Sequence, residues 1–381
     1  MKFIHTSDWH IGRQLHNQNL LDDQRFVLDQ IVELAVEHNV DAVIIAGDIY
    51  DRSIPPANAV ALLSEVLNRL VNEQDIAVVM IAGNHDGHER LGFASKQMTG
   101  SGLNIIGPLT KDVAVIELKG QQGNAVFYGL PYADPATVRH VFDCEVHSHE
   151  EAMVKLLEQV HDHDSQGLPK VVISHCFLDG GSESESERPL SIGGADKVSP
   201  SLFTPFNYTA LGHLHGPQYK GAEHVRYSGS MLKYSFSEQH QKKSVTLVEL
   251  DNEGKASFEL LPLAAMRDVR IIEGELAELL EQGKADTNSE DYLMVRLLDK
   301  TAILDAMGKL RNVYPNVLHL ERTGLMADNG KIELSRDHIK KGEMDMFSDF
   351  FSQVSGEPMT EAQQQAMTVT IDELHRTESA L

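Results

Sequence analysis

The stretch DAVIIAGDIYD, residues 41–51, decides the fold of the first part of the chain. Its apolar run has no polar interruption from Ala42 to Ala46, which is typical of a strand buried on both faces within a parallel sheet. A helical pattern lies on each side of it, at residues 20–39 (LLDDQRFVLDQIVELAVEHN) and at residues 57–73 (ANAVALLSEVLNRLVNE). Buried strands that alternate with helices predict an α/β domain.

The same alternation extends over about the first 260 residues. KFIHTS (2–7) and IAVVMIAGNHD (76–86) predict further strands of that sheet. After about residue 100 most of the apolar runs are strand-like: DVAVIELKG, NAVFYGLPY, KVVISHCF, YTALGHLH and SVTLVELD. A pair of mixed sheets flanked by helices is the architecture that accommodates these elements, and we assign it to a first domain at residues 1–265.

The pattern changes near residue 266. Residues 267–340 read strand, helix, strand, helix, strand, which predicts a small α+β domain. Residues 341–381 hold two short helices that either pack on this domain or contact a partner. The side chains expected to do so are Phe347, Phe350, Phe351 and Met359. A glycine-rich acidic stretch at residues 180–196 predicts a long surface loop, whose Ser-Glu alternation we attribute to solvation.

Composition indicates an ordinary globular protein of the cytoplasm. Hydrophobic residues make up 41% and charged residues 24% of the chain, and no apolar run approaches the roughly 20 residues that span a bilayer. The N-terminus lacks the apolar core of a signal peptide. Two cysteines, Cys144 and Cys176, are too few for a disulfide scaffold or a four-thiolate zinc site. The formal net charge of −24 opposes nucleic-acid binding, although two divalent ions would add positive charge locally.

Five predicted strand ends carry side chains of the types that bind metals in proteins. They are Asp8 with His10, Asp48, Asn84 with His85, His175, and His213 with His215. Open α/β sheets place their ligand sites at the carboxyl ends of strands. Glycine precedes Asp48, Asn84 and His213, which is typical of a sharp turn that brings the backbone close to a bound group. Imidazole and carboxylate without thiolate favour Mn²⁺, with Mg²⁺ possible, and this many ligands predict two ions that share a carboxylate.

Other histidines have a simpler interpretation. The pairs at 147/149 and 161/163 repeat the spacing of His213 and His215, but they flank a predicted amphipathic helix and read as solvated polar residues. His5, on the first strand, is interpreted as structural. His175, taken alone, fits a core histidine as well as a metal ligand.

The motifs HTSDWHIGR, AGDIYDRSIPP, AGNHDGHERL, LGHLHGPQ and VRYSGSMLKYSFSE occur in this order along the chain. In them the sequence resembles the calcineurin-like metallophosphoesterases, and among these the SbcD-type nucleases. The resemblance implies a β-sandwich flanked by helices, with a small α+β C-terminal capping domain.

The resemblance also implies roles for single residues. One metal is expected on Asp8, His10, Asp48 and His215, and the second on Asp48, Asn84, His175 and His213, with Asp48 as the bridge. His85 matches the catalytic histidine of the family, which donates to the phosphate or to the leaving oxygen without binding metal.

The implied activity is that of a Mn²⁺-dependent DNA nuclease. It would act as a double-strand exonuclease and a single-strand or hairpin endonuclease, in DNA end processing, replication and recombination. The implied partners are double-stranded DNA ends and hairpins, a second copy of the chain, and an SbcC-type SMC-like ATPase within a heterotetramer. We expect the dimer face on the early helices.

Two other functions remain open from the residues alone. One is a nucleotide phosphodiesterase or phosphatase of the same fold, and the other is a catalytically silent scaffold for DNA ends. The second domain interleaves basic residues that could line a DNA path, namely Arg296, Lys300, Lys309, Arg311 and Arg322.

Overall fold

The computed structural model describes residues 1–190, 196–301, 303–326, 343–355 and 357–378. It divides into two compact units, Met1–Asp268 and Val269–Leu381. The strands of the first unit are β1 (Lys2–Thr6), β2 (Gln14–Leu15), β3 (Gln18–Asn19), β4 (Ala42–Ile45), β5 (Ala77–Ile81), β6 (Leu103–Ile106), β7 (Ala114–Gly120), β8 (Gly123–Leu130), β9 (Lys170–His175), β10 (Phe177–Leu178), β11 (Lys197–Val198), β12 (Tyr208–Gly212), β13 (Gln218–Lys220), β14 (Ala222–Tyr227), β15 (Ser244–Leu250) and β16 (Ala256–Pro262). Its α-helices are α1 (Leu21–Glu37), α2 (Ala57–Asn68), α3 (His88–Leu91), α4 (Ser95–Met98), α5 (Pro135–Phe142) and α6 (His149–Asp162).

Two six-stranded mixed sheets form the first unit. The first sheet has the order β16-β15-β1-β4-β5-β6, in which β1, β4, β5 and β6 run parallel, and β15 pairs antiparallel with both β1 and β16. The second has the order β13-β14-β12-β9-β8-β7, with the four central strands parallel and an antiparallel strand at each edge. The run of residues 42–45 is buried throughout as β4, between β1 and β5. The predicted β-sandwich is confirmed.

The core of the sandwich lies between the sheets. Phe3 of β1 packs edge-on against Phe127 of β8 and Tyr208 of β12, with ring centroids 5.4 and 5.7 Å apart. All three rings are fully buried and belong to one apolar cluster with Ile44 and Val79. Edge-to-face aromatic pairs of this kind add to the free energy gained from burying their surface.

Helices cover the outer faces of the sheets because each has one apolar side. α1 buries Val27, Leu28 and Ile31, which recur at helical spacing. α6 buries Met153 and Leu157 in a cluster with side chains of β9 and β12. α2 continues into a π-helical turn over Arg69–Glu73, and 3-10 turns occur at Thr99–Ser101, Pro200–Phe203 and Phe236–Glu238.

The second unit has the predicted order strand, helix, strand, helix, strand. Its elements are β17 (Val269–Gly274), α7 (Leu276–Ala285), β18 (Tyr292–Leu297), α8 (Ala306–Arg311), β19 (Val317–Arg322), α9 (Thr323–Met326), α10 (Glu343–Ser355) and α11 (Glu361–Glu378). β17, β18 and β19 form a three-stranded parallel sheet. Leu279 of α7 and Leu310 of α8 pack with β18 to form its core.

The two predicted tail helices are present, and the apolar side chains expected to pack on the domain or to contact a partner differ in exposure. Phe350 is 59% exposed, whereas Met359 is buried and Phe347 and Phe351 are half-buried. The rings of Phe347 and Phe351 lie 6.5 Å apart on the same helix. None of the described helices is both long enough and apolar enough to cross a membrane.

Candidate metal centre

The strand ends predicted to carry ligands meet at one edge of the sandwich. His175 is the last residue of β9, and the other seven side chains follow the ends of β1, β4, β5 and β12 within four residues. Backbone hydrogen bonds join neighbouring loops: Asp8 N–H donates to Gly47 O at 3.1 Å, and His10 N–H to Asp48 O at 2.9 Å. The parallel order of the strands thus brings residues that are far apart in sequence into one centre.

Several of these residues have strained backbones. Asp8, His10, Asp48 and His213 all have positive φ angles, of 52°, 45°, 51° and 106°. Non-glycine residues adopt such angles at a cost in free energy and keep them where the surrounding structure compels it, most often at functional sites. Strain at these four predicted ligands therefore favours a functional centre over a packed core.

The glycines before the ligands are explained mainly by close packing. Of the three, only Gly47 has a positive φ angle, of 91°. A Cβ on Gly83 would overlap the carboxylate of Asp48, and one on Gly212 would overlap the Ala46 carbonyl oxygen and lie 2.8 Å from His175 Nδ1. The expected turn conformation is thus found at Gly47, whereas Gly83 and Gly212 are required because a side chain there would overlap atoms of the centre.

Asp48 lies in the middle of the centre. Its Oδ2 is 3.6 Å from His10 Nε2 on one side and 3.5 Å from His175 Nε2 on the other. Its Oδ1 accepts the backbone N–H of His85 at 2.9 Å, which fixes the plane of the carboxylate. One oxygen therefore faces two imidazoles that come from different sheets.

The contacts of His175 fit those expected of a cation ligand. Its Nδ1 lies 2.9 Å from the Ala46 carbonyl, and because a carbonyl only accepts, Nδ1 carries the proton. The lone pair of Nε2 then faces Asn84 Oδ1 at 2.9 Å as well as the Asp48 carboxylate. Hydrogen-bond acceptors that face one another repel unless a cation lies among them. These three side chains therefore fit a divalent metal.

A second group forms around His10. Its Nε2 lies 3.1 Å from Nε2 of His215, and both side chains are buried with Asp8. The carboxylate of Asp8 is held by the backbone N–H of His213 at 3.0 Å and by the Ser7 hydroxyl at 2.5 Å. Among the described residues, three sets of ligand atoms lie close together: Asp8 with His10 and His215, Asp8 with Asp48 and His175, and His10 with Asp51 and His85.

Burial and mutual charge set the protonation of these groups. Burial, and then the charge of Asp48, raise the pKa of Asp8 well above its usual value. For Asp48, burial acts in the same direction, but His175 and other neighbours outweigh it and hold the pKa below its usual value. Burial lowers the pKa of His10 and His175, and lowers that of His213 to about 3. These imidazoles are neutral at pH 7, which is the form that binds metal.

His85 lies at the open side of the centre. It is half-buried, its ring centroid is 4.7 Å from that of His10, and its Nδ1 lies 2.9 Å from the Asp51 carbonyl. Since that carbonyl only accepts, Nδ1 carries a proton, and the other ring nitrogen, Nε2, is left for other contacts.

Asp86 is a part of the centre that the sequence interpretation missed. Its carboxylate accepts the backbone N–H groups of Ile49, Tyr50 and Gly83, at 3.1, 2.9 and 2.9 Å. Burial, and then the charge of Asp48, raise its pKa to about 7. Asp86 therefore ties the loop after β4 to the loop after β5, and the NHD spacing was the only signal for it.

The prediction that the Ser-Glu stretch is merely solvated is wrong for two of its residues. Ser186 is buried and lies 2.5 Å from His215 Nδ1, and Glu187 accepts the His215 backbone N–H at 2.8 Å. Residues 191–195 of the predicted loop lie outside the described residues.

The remaining histidines have contacts of their own. His5 is buried, with Nδ1 3.0 Å from the Tyr208 hydroxyl and Nε2 3.1 Å from the Leu211 carbonyl. α6 begins at His149 and includes His161, so both lie on the helix that they were expected to flank. His161 stacks on Phe206 with centroids 5.0 Å apart.

Comparison with known families agrees with this geometry. Residues 1–217, more than half of the chain, match calcineurin-like phosphoesterases, and the chain belongs to that family of metallophosphoesterases. Residues 265–355 match the type 5 capsule protein repressor C-terminal domain, which is the C-terminal domain of SbcD-type proteins. The two matches together confirm the resemblance to the SbcD type.

The chain is also similar to solved structures at low identity. They include a protein of Thermus thermophilus (16% identity, 68% of this chain and 98% of that chain, TM-score 0.38), GAP50, the anchor in the inner membrane complex of Plasmodium (10%, 84% and 96%, TM-score 0.40), and a dimetal phosphatase from Danio rerio (12%, 69% and 99%, TM-score 0.43). With TM-scores below 0.5, these similarities say nothing about the activity of this chain.

Proposed function

We propose that the protein is a divalent-metal-dependent DNA nuclease that cleaves double-stranded ends and hairpins together with an SbcC-type SMC-like ATPase. The observation that carries the proposal is the position of Asp48 Oδ2, between His10 Nε2 at 3.6 Å and His175 Nε2 at 3.5 Å. A carboxylate between two groups of neutral imidazoles is the arrangement that a pair of ions requires.

The proposed ligand sets are those that the family resemblance implies, and the close groups of the structure supply part of each. Asp8, His10, Asp48 and His215 would hold one ion, and Asp48, Asn84, His175 and His213 the other. Bound ions would supply charge that stabilises the attacking and leaving oxygens of a phosphodiester and would lower the pKa of a bound water. The residues present fit Mn²⁺ because nitrogen ligands are numerous, whereas Mg²⁺ prefers oxygen and water.

The proposed role of His85 is that of a proton or hydrogen-bond donor. The Asp51 carbonyl holds Nδ1 as a donor, so Nε2 is the atom that can face a phosphate at the open side of the centre, and it donates there when the ring carries a proton on both nitrogens. An imidazole can donate a proton near neutral pH without entering the coordination shell of a metal.

Support for DNA as the substrate and for an ATPase partner comes from the C-terminal match to SbcD-type proteins. The basic residues of the second unit that were expected to line a DNA path differ in how well they could contact DNA. Arg296 is paired with Glu321 at 2.8 Å, and Arg311 and Arg322 donate to backbone carbonyls. Lys300 and Lys309 are both exposed, and these two are the better candidates for phosphate contacts.

A homodimer is part of the proposal, through the face formed by α2 and the segment that follows β5. A groove of about 620 Å³ there is lined by apolar side chains such as Leu63, Leu67 and Val71. Phe93, which also lines it, is 80% exposed, and Val60 is 45% exposed. Large exposed apolar side chains beside an apolar groove mark an interaction surface.

One assay separates the candidate functions. The purified chain, alone and with an SbcC-type ATPase and ATP, is offered a linear DNA duplex, a DNA hairpin and bis(p-nitrophenyl) phosphate, each with Mn²⁺ or Mg²⁺. We expect cleavage of both DNAs, faster with Mn²⁺, and its loss in Asp48→Ala but not in Asp112→Ala, which changes an exposed carboxylate. Hydrolysis of the small diester alone would indicate a phosphodiesterase. DNA binding without hydrolysis of any substrate would indicate a scaffold.

A further inference from the structure

A buried polar network lies behind His215, on the side away from His10. Ser186 Oγ contacts His215 Nδ1 at 2.5 Å and also donates to Glu238 Oε1. Lys243 Nζ donates to the other carboxylate oxygen of Glu238 at 2.6 Å. Glu238 has no exposed surface, and Ser186 and Lys243 are each 7% exposed. A charged pair buried at this depth is costly unless its geometry serves a purpose or is well compensated.

The network fixes the direction of each hydrogen bond. The ammonium group of Lys243 holds Glu238 as a carboxylate, which can only accept. The single hydroxyl proton of Ser186 therefore points to Glu238, and Ser186 Oγ is left to accept from His215 Nδ1. It follows that Nδ1 of His215 carries a proton, so in the singly protonated ring the lone pair is on Nε2, which faces His10 Nε2 at 3.1 Å.

The backbone of His215 is held by Glu187 and Lys243 as well. Glu187 Oε1 accepts the His215 N–H at 2.8 Å, and Lys243 Nζ donates to the His215 carbonyl at 2.9 Å. Arg13, three residues after His10, donates to the Ser186 carbonyl at 2.8 Å. His215 is thus held at its backbone nitrogen, its backbone oxygen and its ring Nδ1.

We infer that Ser186 is a positioning residue that fixes His215 in the Nδ1–H tautomer and so aims the Nε2 lone pair at the metal centre. The acidic Ser-Glu segment consequently has a function in the centre although it would contribute no ligand. The inference rests on the proposed function only where it takes His215 as a metal ligand. Groups that hydrogen-bond to the second nitrogen of a metal-binding histidine fix its tautomer in this way.

The tautomer is measured in the metal-free, full-length protein. With ¹⁵N-labelled histidine, long-range ¹H–¹⁵N correlation distinguishes Nδ1–H from Nε2–H rings, and comparison with His215→Gln identifies the signals of His215. We expect Nδ1–H in the wild-type protein and a population of Nε2–H in Ser186→Ala. An Nε2–H ring in the wild-type protein would overturn the inference, whatever the variant does.

Metal affinity provides the second readout. Calorimetric titration with Mn²⁺ should show that Ser186→Ala binds one of two ions about 10–100-fold more weakly and leaves the other unchanged. Ser184→Ala is the control within the same network, because its hydroxyl contacts Glu187, Glu238 and the Ser186 hydroxyl but not the imidazole. We expect a much smaller change in the control.

Equal losses in the two serine variants would mean that the segment merely needs to fold, and the inference would be wrong. If the wild-type protein binds no Mn²⁺ at all, the proposed function fails, and the tautomer measurement still decides the role of Ser186.

Discussion

Asp48 is the residue on which the centre depends most, because its carboxylate faces the imidazoles of both groups. We predict that Asp48→Ala loses both ions, since each ion loses a ligand and the negative charge that offsets its own. Elemental analysis of the purified variant after dialysis against Mn²⁺ measures this. Two ions per chain in the variant would refute a bridging role for Asp48.

His85 should separate chemistry from metal binding. His85→Gln is expected to lose about 10²–10⁴-fold in turnover, which is the contribution of a positioned acid, and to retain both ions and the affinity for DNA. The reason is that the Asp51 carbonyl fixes Nδ1 and leaves Nε2 to the substrate. Rates with labelled hairpin DNA and metal content are compared in the same preparation, and loss of one ion would show that His85 is a ligand.

His5 should make stability depend on pH. Burial lowers its pKa from 6.5 to about 3, so the unfolded chain takes up a proton at a pH where the folded chain does not. The stability that neutral His5 contributes is therefore complete above pH 6.5 and is lost as the pH falls towards 3. We predict that the advantage of the wild-type protein over His5→Gln in urea unfolding shrinks by about 3 kcal/mol between about pH 6.5 and about pH 4.

The control for this prediction is His147→Gln, which changes a histidine whose side chain is 75% exposed. Its difference from the wild-type protein should stay constant over the same pH range. A constant difference for His5→Gln as well would mean that His5 is protonated in the fold or that its environment is open to water.

At the scale of elements, the strand ends are what sequence predicts best. An apolar run such as that of β4 leaves no alternative to a buried strand, and a parallel order brings the polar residues after each strand to one edge. The sheet strands β6, β13, β14 and β16 were not predicted, because short or half-exposed patterns carry weaker signals. The role of the Ser186 segment was also missed, since its partners Glu238 and Lys243 are distant in sequence.

Gly83 shows how packing at the strand ends supports the centre. A Cβ there would overlap the Asp48 carboxylate and its backbone nitrogen, which cannot move without shifting the loop after β4. We predict that Gly83→Ala loses Mn²⁺ binding and lowers the melting temperature by several degrees. Gly100→Ala, where a Cβ meets nothing within 4 Å, should behave as the wild-type protein does. Unchanged Mn²⁺ affinity in Gly83→Ala would refute the tight packing described.

At the scale of the whole molecule, the role of the second unit remains a proposal. Phe350 of α10 is 59% exposed and lies within the segment that matches the SbcD-type C-terminal domain. We predict that Phe350→Asp weakens association with an SbcC-type ATPase by about tenfold or more, as expected when an apolar anchor is replaced by a charge. Val369→Asp, on α11 and 53% exposed, is the control in the same co-purification. Equal binding of the Phe350 variant and the wild-type protein would exclude this face of α10.

Anomalous diffraction from crystals of the full chain grown with Mn²⁺ tests the proposed two-ion centre most directly. We expect two anomalous peaks about 3.5–4 Å apart, with the Asp48 carboxylate between them, His10 and His215 on one ion and His175 on the other. A single peak, or two peaks of which one lies away from Asp48, would contradict the proposed centre.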